Sequence, residues 1–432
     1  MNMPRKFLYT VIPAIGLFLI HGCSKPESSV PIPATVATPA DDPAAVAALE
    51  AAGFQLKKDD SGSVTGIAAT LNTDATEALK NLAGVPNIVS ARFGGTGMTD
   101  GSLQSIVSLK MLKRLDLTEC SEMTDATLKL VGEMPTVEVL VLRRAGFTDA
   151  GLEHIKSLPK LRALDVRNTN VTDAGLQHLA GMKTLVDLQL EKTKVTNAGV
   201  QHLRGLPLTS LNLNYDTEIS DVSMEVIGSL TTLKSLQLDA TKLTDTGLAE
   251  IAKLTKLTRL ACRQADITGE GIKHLAGLKE LARLELRETS VDDDGLAVIS
   301  QLPKLTYLDL RECRLITADG LAKLGQLTGL TYLELCEVKK LRDDSFAALG
   351  GLTNLTELNL EATRITSESV PVLLKFQKLK TLNVAGTQLD DAGLVQLGQL
   401  PALTKLTVQN CNPAAETITA LKAARPELEI IE

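Results

Sequence analysis

The chain has 432 residues, of which 44% are hydrophobic but only 3% aromatic, with no Trp, so any core it builds is aliphatic. Its formal charge of −7 repels phosphate backbones and no stretch interleaves basic with aromatic residues, which argues against nucleic acid as a partner. Length alone suggests two or three domains, but an internal repeat overrides that expectation, because stacked units share one continuous core.

Residues 1–22 read as an export signal: Arg5 and Lys6 precede an apolar run of 14 residues from Phe7 to Ile20. The run falls short of the roughly 20 apolar residues that a spanning helix needs. It ends in Leu19-Ile20-His21-Gly22-Cys23. That ending resembles the bacterial lipoprotein signal, although His21 departs from the small or apolar residue usual there. The resemblance implies acylation of Cys23, attachment to a membrane through the lipidated N-terminus, and a place in the cell envelope. By the same resemblance, Ser24 after the acceptor Cys implies the outer membrane or periplasmic face. Residues 23–42 continue as a Pro-, Ser-, Ala- and Thr-rich stretch without apolar periodicity, the composition of a flexible linker.

Residues 43–87 read as an N-terminal cap fused to a degenerate first repeat. Pro43 to Gly53 predicts a helix, and Phe54 to Leu56 with Val64 to Ala69 predicts a hairpin. Val64 and Ile67 lie 24 residues before Ile88 and Ala91, already in the register of the later units.

Residues 88–412 repeat one pattern: Leu-x-x-Leu-x-Leu, a Thr or Cys, then Thr-Asp-Ala-Gly-Leu-x-x-Leu. The first residue of each Leu-x-Leu core runs from Ala91 and Leu115 through Leu284, Leu308 and Leu333 to Leu406, at spacings of 23 to 25 residues over 14 units. Leu-x-Leu alternates like a half-buried strand, whereas Gly175-Leu176-x-x-Leu179 has the spacing of a one-faced helix. Thr172-Asp173, Thr148-Asp149, Thr244-Asp245 and Asp390-Asp391 stand where helix N-caps belong. Residues 413–432 predict a closing cap, with a helix from Ala414 to Ala424 and a strand from Leu428 to Ile431.

Each unit is therefore one strand and one helix. Strands stand about 4.8 Å apart and helices about 10 Å, so strands gather on an inner arc and helices on an outer one. The predicted fold is an α/β solenoid, a horseshoe with a concave parallel sheet and convex helices. Residues 64–412 resemble the leucine-rich-repeat family, in its helix-containing branch. Cys120, Cys313 and Cys411 share a column with Thr169, Thr193, Thr289 and Thr387, similar to the cysteine-containing and ribonuclease-inhibitor-like repeats. The export signal is closer to exported bacterial repeat proteins of the planctomycete type. The resemblance implies protein binding, as an envelope scaffold, adhesin or receptor, or alternatively as an inhibitor or regulator of an exported enzyme.

No catalytic constellation, metal site or cofactor is predicted. His154, His178, His202 and His274 form one column, but helices about 10 Å apart cannot share an ion bound at about 2 Å. The Asp column, densest at Asp292-Asp293-Asp294, lacks calcium-loop spacing and reads as helix capping. Gly94-Gly95-Thr96-Gly97 lacks the next glycine of a dinucleotide fingerprint. Beyond Cys23 five cysteines remain, an odd number, and they read as buried free thiols.

The concave face is the candidate site. Positions flanking the strand leucines place Arg259, Arg263, Arg283, Glu285, Arg287, Tyr307, Asp309, Arg311, Tyr332 and Glu334 on its open side, with Tyr215 at its edge. Tyr and Arg are the residue types that dominate interface hot spots. The competing reading is a ladder of Arg and Glu pairs that keeps the sheet soluble. If the patch binds, reversing the charge of Arg283, Arg287 and Arg311 is expected to weaken capture at little cost in stability.

Overall fold

A computed structural model describes residues 39–432; the signal segment, Cys23 and most of the linker lie outside the described residues. Among the described residues no helix is long and apolar enough to cross a membrane. The fold opens with the helix Pro43–Ala51, whose N-cap Asp42 accepts the Ala44 amide at 2.8 Å. The strands Gln55–Lys58 and Val64–Thr70 then pair antiparallel. From Val64–Thr70 to the last strand, Glu429–Ile431, every neighbouring pair is parallel and consecutive in sequence, giving one open 17-stranded sheet.

Register follows the leucine column. Leu260 pairs with Leu284, Leu284 with Leu308 and Leu308 with Leu333, and all four side chains are buried. Each strand of a typical unit is only three residues long, as in Arg283–Glu285. The outer elements vary more than the repeat suggests. Asp173–Leu179 is one α-helix, but Asn197–Val200 gives way to the 3₁₀ turn Gln201–Leu203. Both spans are seven residues long, so the outer arc accepts either winding, with the last turn wound more tightly in the second.

Asp292 and Asp390 cap their own helices as expected, accepting the Gly295 and Gly393 amides at 3.1 and 2.8 Å, but the other aspartates of the column do something else. Thr172 is the N-cap and accepts the Ala174 amide at 3.3 Å. Asp149 of the preceding unit reaches forward: its Oδ1 accepts the Thr172 amide at 2.9 Å and its Oδ2 the Thr172 hydroxyl at 2.6 Å. The same pairing joins Asp125 to Thr148, Asp173 to Thr196, Asp221 to Thr244 and Asp245 to Thr268. The carboxylates are cross-braces between units.

The glycine of the motif makes room for this brace. A Cβ on Gly175 would sit 2.4 Å from Asp149 Oδ1, and one on Gly199 2.2 Å from Asp173 Oδ1. Where a hydroxyl residue replaces the glycine, it joins the bond instead, as Thr127 does by donating to Asp100 at 2.5 Å. Brace and gap alternate along the outer rim, which explains why Thr-Asp-x-Gly recurs as a block.

At the strand exits a column of non-glycine residues from Glu119 to Asn410 holds left-handed backbone, with φ between 53° and 66°. The turn aims each amide along the stack. Ala240 donates to Arg263 O at 2.8 Å and Glu288 to Arg311 O at 2.9 Å, extending the ladder beyond the strands. Stacking thus imposes a conformation that these side chains disfavour.

Candidate functional site

The parallel register brings Arg259, Arg283, Tyr307 and Tyr332 side by side as the first residues of four successive strands. The planar groups of the last three stack. The Arg283 guanidinium lies 3.6 Å from the Tyr307 ring centroid, and the Tyr307 and Tyr332 rings are parallel within 8° at 3.9 Å. Strand spacing near 4.8 Å leaves flat side chains in adjacent rows little choice but to meet face to face.

The acids of the same face lie beneath this layer. Glu285 is 1% exposed, although its strand position reads as open. Its carboxylate holds Arg283 at 2.6 Å and Arg259 at 3.0 Å, with Arg263 at 3.7 Å. Burial opposes its ionisation, but those hydrogen bonds and charges win and keep the carboxyl below its ordinary range. Asp309, fully buried, accepts Arg311 Nη2 at 3.0 Å and Nε at 3.3 Å. Asp239, which sequence reasoning passed over, is the anchor of Arg263, at 2.7 Å to Nη2 and 2.9 Å to Nε. Its place in the column 24 residues before Arg263 was the available signal. Arg287 bridges Glu288 at 2.6 Å and Glu312 at 2.9 Å on the rim.

Glu334 is handled differently. It is 4% exposed; the Tyr332 hydroxyl donates to its Oε2 at 2.9 Å, and its Oε1 has no hydrogen-bond partner among the described residues. Burial pushes its carboxyl up to about 7, against the pull of the Arg311 charge. Tyr215 is not part of this group. It follows the strand Ser210–Asn212, four rows from Tyr307, with φ of 63° and 43% exposure, and Lys192 Nζ sits 4.8 Å from its ring.

The arginines are therefore pinned, and the ladder reading and the patch reading describe one arrangement. Glu285 would keep Arg259 and Arg263 if Arg283 were reversed, but among the described residues Asp309 pairs with Arg311 alone, so charge reversal at Arg311 would strand a carboxylate. Such a variant would unsettle the fold, contrary to the expectation drawn from sequence.

The other candidates have structural roles. Cys120, Cys262 and Cys313 are buried free thiols, whereas Cys336 and Cys411 are half-buried. Burial pushes Cys120 up to about 12 and Cys313 to about 11, which keeps both protonated and poorly nucleophilic. The described residues hold no cluster of three metal-ligating side chains. In the glycine run, a Cβ on Gly97 would fall 1.8 Å from Thr73 O, so this segment packs against the preceding unit.

Residues 200–425 match the family described as leucine-rich repeat region, just over half of the chain, and residues 157–180 match a second leucine-rich-repeat family. No curated protein matches the sequence. Among solved structures, an internalin from Listeria monocytogenes superposes with a TM-score of 0.52 at 20% identity, over 92% of this chain and 99% of that one. A leucine-rich-repeat protein of Leptospira interrogans gives 0.53 at 19% identity, over 84% and 95%. A chain of the yeast Rad7 and Elc1 complex gives 0.52 at 21% identity, over 78% and 84%. The horseshoe, the in-register leucine column and the family match agree: the chain belongs to the leucine-rich-repeat family.

Proposed function

We propose that this protein grips a protein partner in its concave face and is held at the cell envelope by a lipid on Cys23, acting as a scaffold, adhesin or receptor with no catalysis of its own. The observation that carries the binding reading is the Arg283–Tyr307–Tyr332 stack, which is half-exposed and fixed from below. Pinned side chains lose little freedom when a partner arrives, so more of the contact energy is kept. About ten rows of sheet extend ~48 Å, enough for the ~800 Å² per partner of a standard interface. The Leu19-to-Cys23 ending and the linker after it support the tether, and a related fold in the Rad7 and Elc1 complex supports work through protein contacts.

The test avoids the pinned arginines. A photo-crosslinking residue is placed on the concave face at Ser235 or Thr381, or on the convex face at Gln177 or Lys273, in the native host. Capture of one protein from the concave positions alone is expected; capture from the convex positions alone overturns the reading. A hydrolase as the captured protein would mark an inhibitor, and a structural envelope protein a scaffold. For the tether, Cys23→Ser is expected to release the protein from membranes, and unchanged association refutes lipid attachment there.

A further inference from the structure

The stack at the centre of the concave face is finished at one end and open at the other. Arg283 covers one face of Tyr307 and Tyr332 covers the second. The face of Tyr332 turned away from Tyr307 looks along the sheet toward Glu357, its register partner on the next strand. Among the described residues no ring or cation covers that face.

Charge changes sign at the same place. On the Arg259 to Arg311 side every buried acid has a guanidinium. Beyond Tyr332, the face-directed positions of the next rows carry Glu334, Glu357 and Glu361, and from Tyr332 to Ala385 those positions contain no Lys or Arg. Among the described residues Glu334, Glu357 and Glu361 make no ion pair. Glu357 is exposed and accepts no hydrogen bond from them, Glu361 accepts only Asn383 Nδ2 at 3.0 Å, and Glu334 keeps one buried oxygen without a partner. The one guanidinium within reach among the described residues, that of Arg311, is spent on Asp309.

We infer that the concave face beside Tyr332 receives an arginine side chain from a basic segment of the protein partner, laid flat on the open face of the Tyr332 ring and neutralised by Glu357 and Glu361. The partner's guanidinium would continue the Arg–Tyr–Tyr column as its fourth layer, at the row spacing the sheet already sets. Arginine fits better than lysine, because a planar guanidinium can stack while its edge donates to carboxylates. The inference rests on the concave-face reading and adds the chemistry of the occupant.

The test uses the full chain and fluorescently labelled peptides of alternating glycine with arginine, lysine or glutamate, followed by anisotropy at low salt. The arginine peptide is expected to bind saturably and tighter than the lysine peptide, and the glutamate peptide not at all. Glu357→Gln with Glu361→Gln, and separately Tyr332→Leu, should each weaken the arginine peptide by roughly five- to tenfold. Both glutamates reach the surface, so the first variant should keep its melting temperature. Glu153→Gln with Glu225→Gln on the convex face should change nothing. Equal binding of the arginine and lysine peptides, indifference to both concave variants, or no binding of the arginine peptide overturns the inference. Photo-crosslinking from Ser235 reports on concave-face binding independently, so the two readings can fail separately.

Discussion

The Asp brace between units is open to a quantitative test at Asp149. Its carboxylate takes the Thr172 amide and hydroxyl at 2.9 and 2.6 Å across the boundary between two units. Asp149→Ala removes both acceptors and leaves two donors in a site only partly open to water. Hydrogen bonds to a charged acceptor contribute ~1.5–3 kcal/mol each, and entering water recovers part of that, so the expected loss is about 2 kcal/mol. That corresponds to roughly 30-fold faster local opening, since 1.4 kcal/mol is a factor of ten. Asp149→Asn should be far milder, because the chain already uses that solution elsewhere. Asn197 accepts the Ser220 amide at 3.0 Å and donates to the Ser220 hydroxyl at 2.9 Å. Its cost should stay below ~1 kcal/mol, or about fivefold in exchange. Hydrogen exchange read by mass spectrometry separates the two variants: peptides covering residues 149–180 should exchange much faster in the alanine variant, and peptides beyond residue 340 should not. Solenoid units couple mainly to their neighbours, so the damage should stay local. Equal exchange in the alanine and asparagine variants, or acceleration spread evenly along the chain, would refute the brace.

Three further outcomes are expected. Ala240→Gly and Ala362→Gly relieve left-handed backbone at φ of 54° and should raise the unfolding free energy by about 0.5 kcal/mol each, once glycine's extra chain entropy is deducted, and with it the urea midpoint. The same change at Ala163, in the strand Ala163–Asp165, should lower it, and matching signs at the three sites would contradict the reading. Glu334, held up to about 7 by burial, binds a proton more tightly folded than unfolded; its contribution to stability is present in acid and lost as pH rises toward and through 7. Glu334→Gln should therefore be more stable than the parent at pH 8 and equal to it near pH 4 in thermal melts, and an unchanged difference across that range would remove the cause. Leu308→Asp puts a lone carboxylate in the core at a cost of several kcal/mol, and exchange should rise in the units around it; native protection there would contradict the strand register.

Much of this architecture is legible in the spacing of the leucines. The alternation of Leu-x-Leu against the three- and four-residue spacing of Gly175-Leu176-x-x-Leu179 separates strand from helix, and the 24-residue offset of Ile67 from Ala91 anticipates their pairing. The features that escaped the sequence share one physical cause: they depend on relations between units. Asp149 looks like a cap for its own helix until stacking brings Thr172 within reach. Alternation assigns Glu285 to the open face, yet says nothing of depth, and three arginines long enough to fold over it turn an open position into a buried one. Tyr215 and Tyr307 share an aromatic identity, but four rows of sheet keep them apart.

The forward-reaching aspartates also say how such a chain can change length. Each brace connects a residue to one about 23 positions later, and each left-handed amide points to the next row, so every unit is half of two joints and complete in neither. Adding or removing one whole unit recreates the same joint on both sides of the cut. A one-residue insertion inside a strand would instead misalign the brace, the amide and the leucine row together. The array behaves like a chain of couplings, free to grow by copies and resistant to slippage within them.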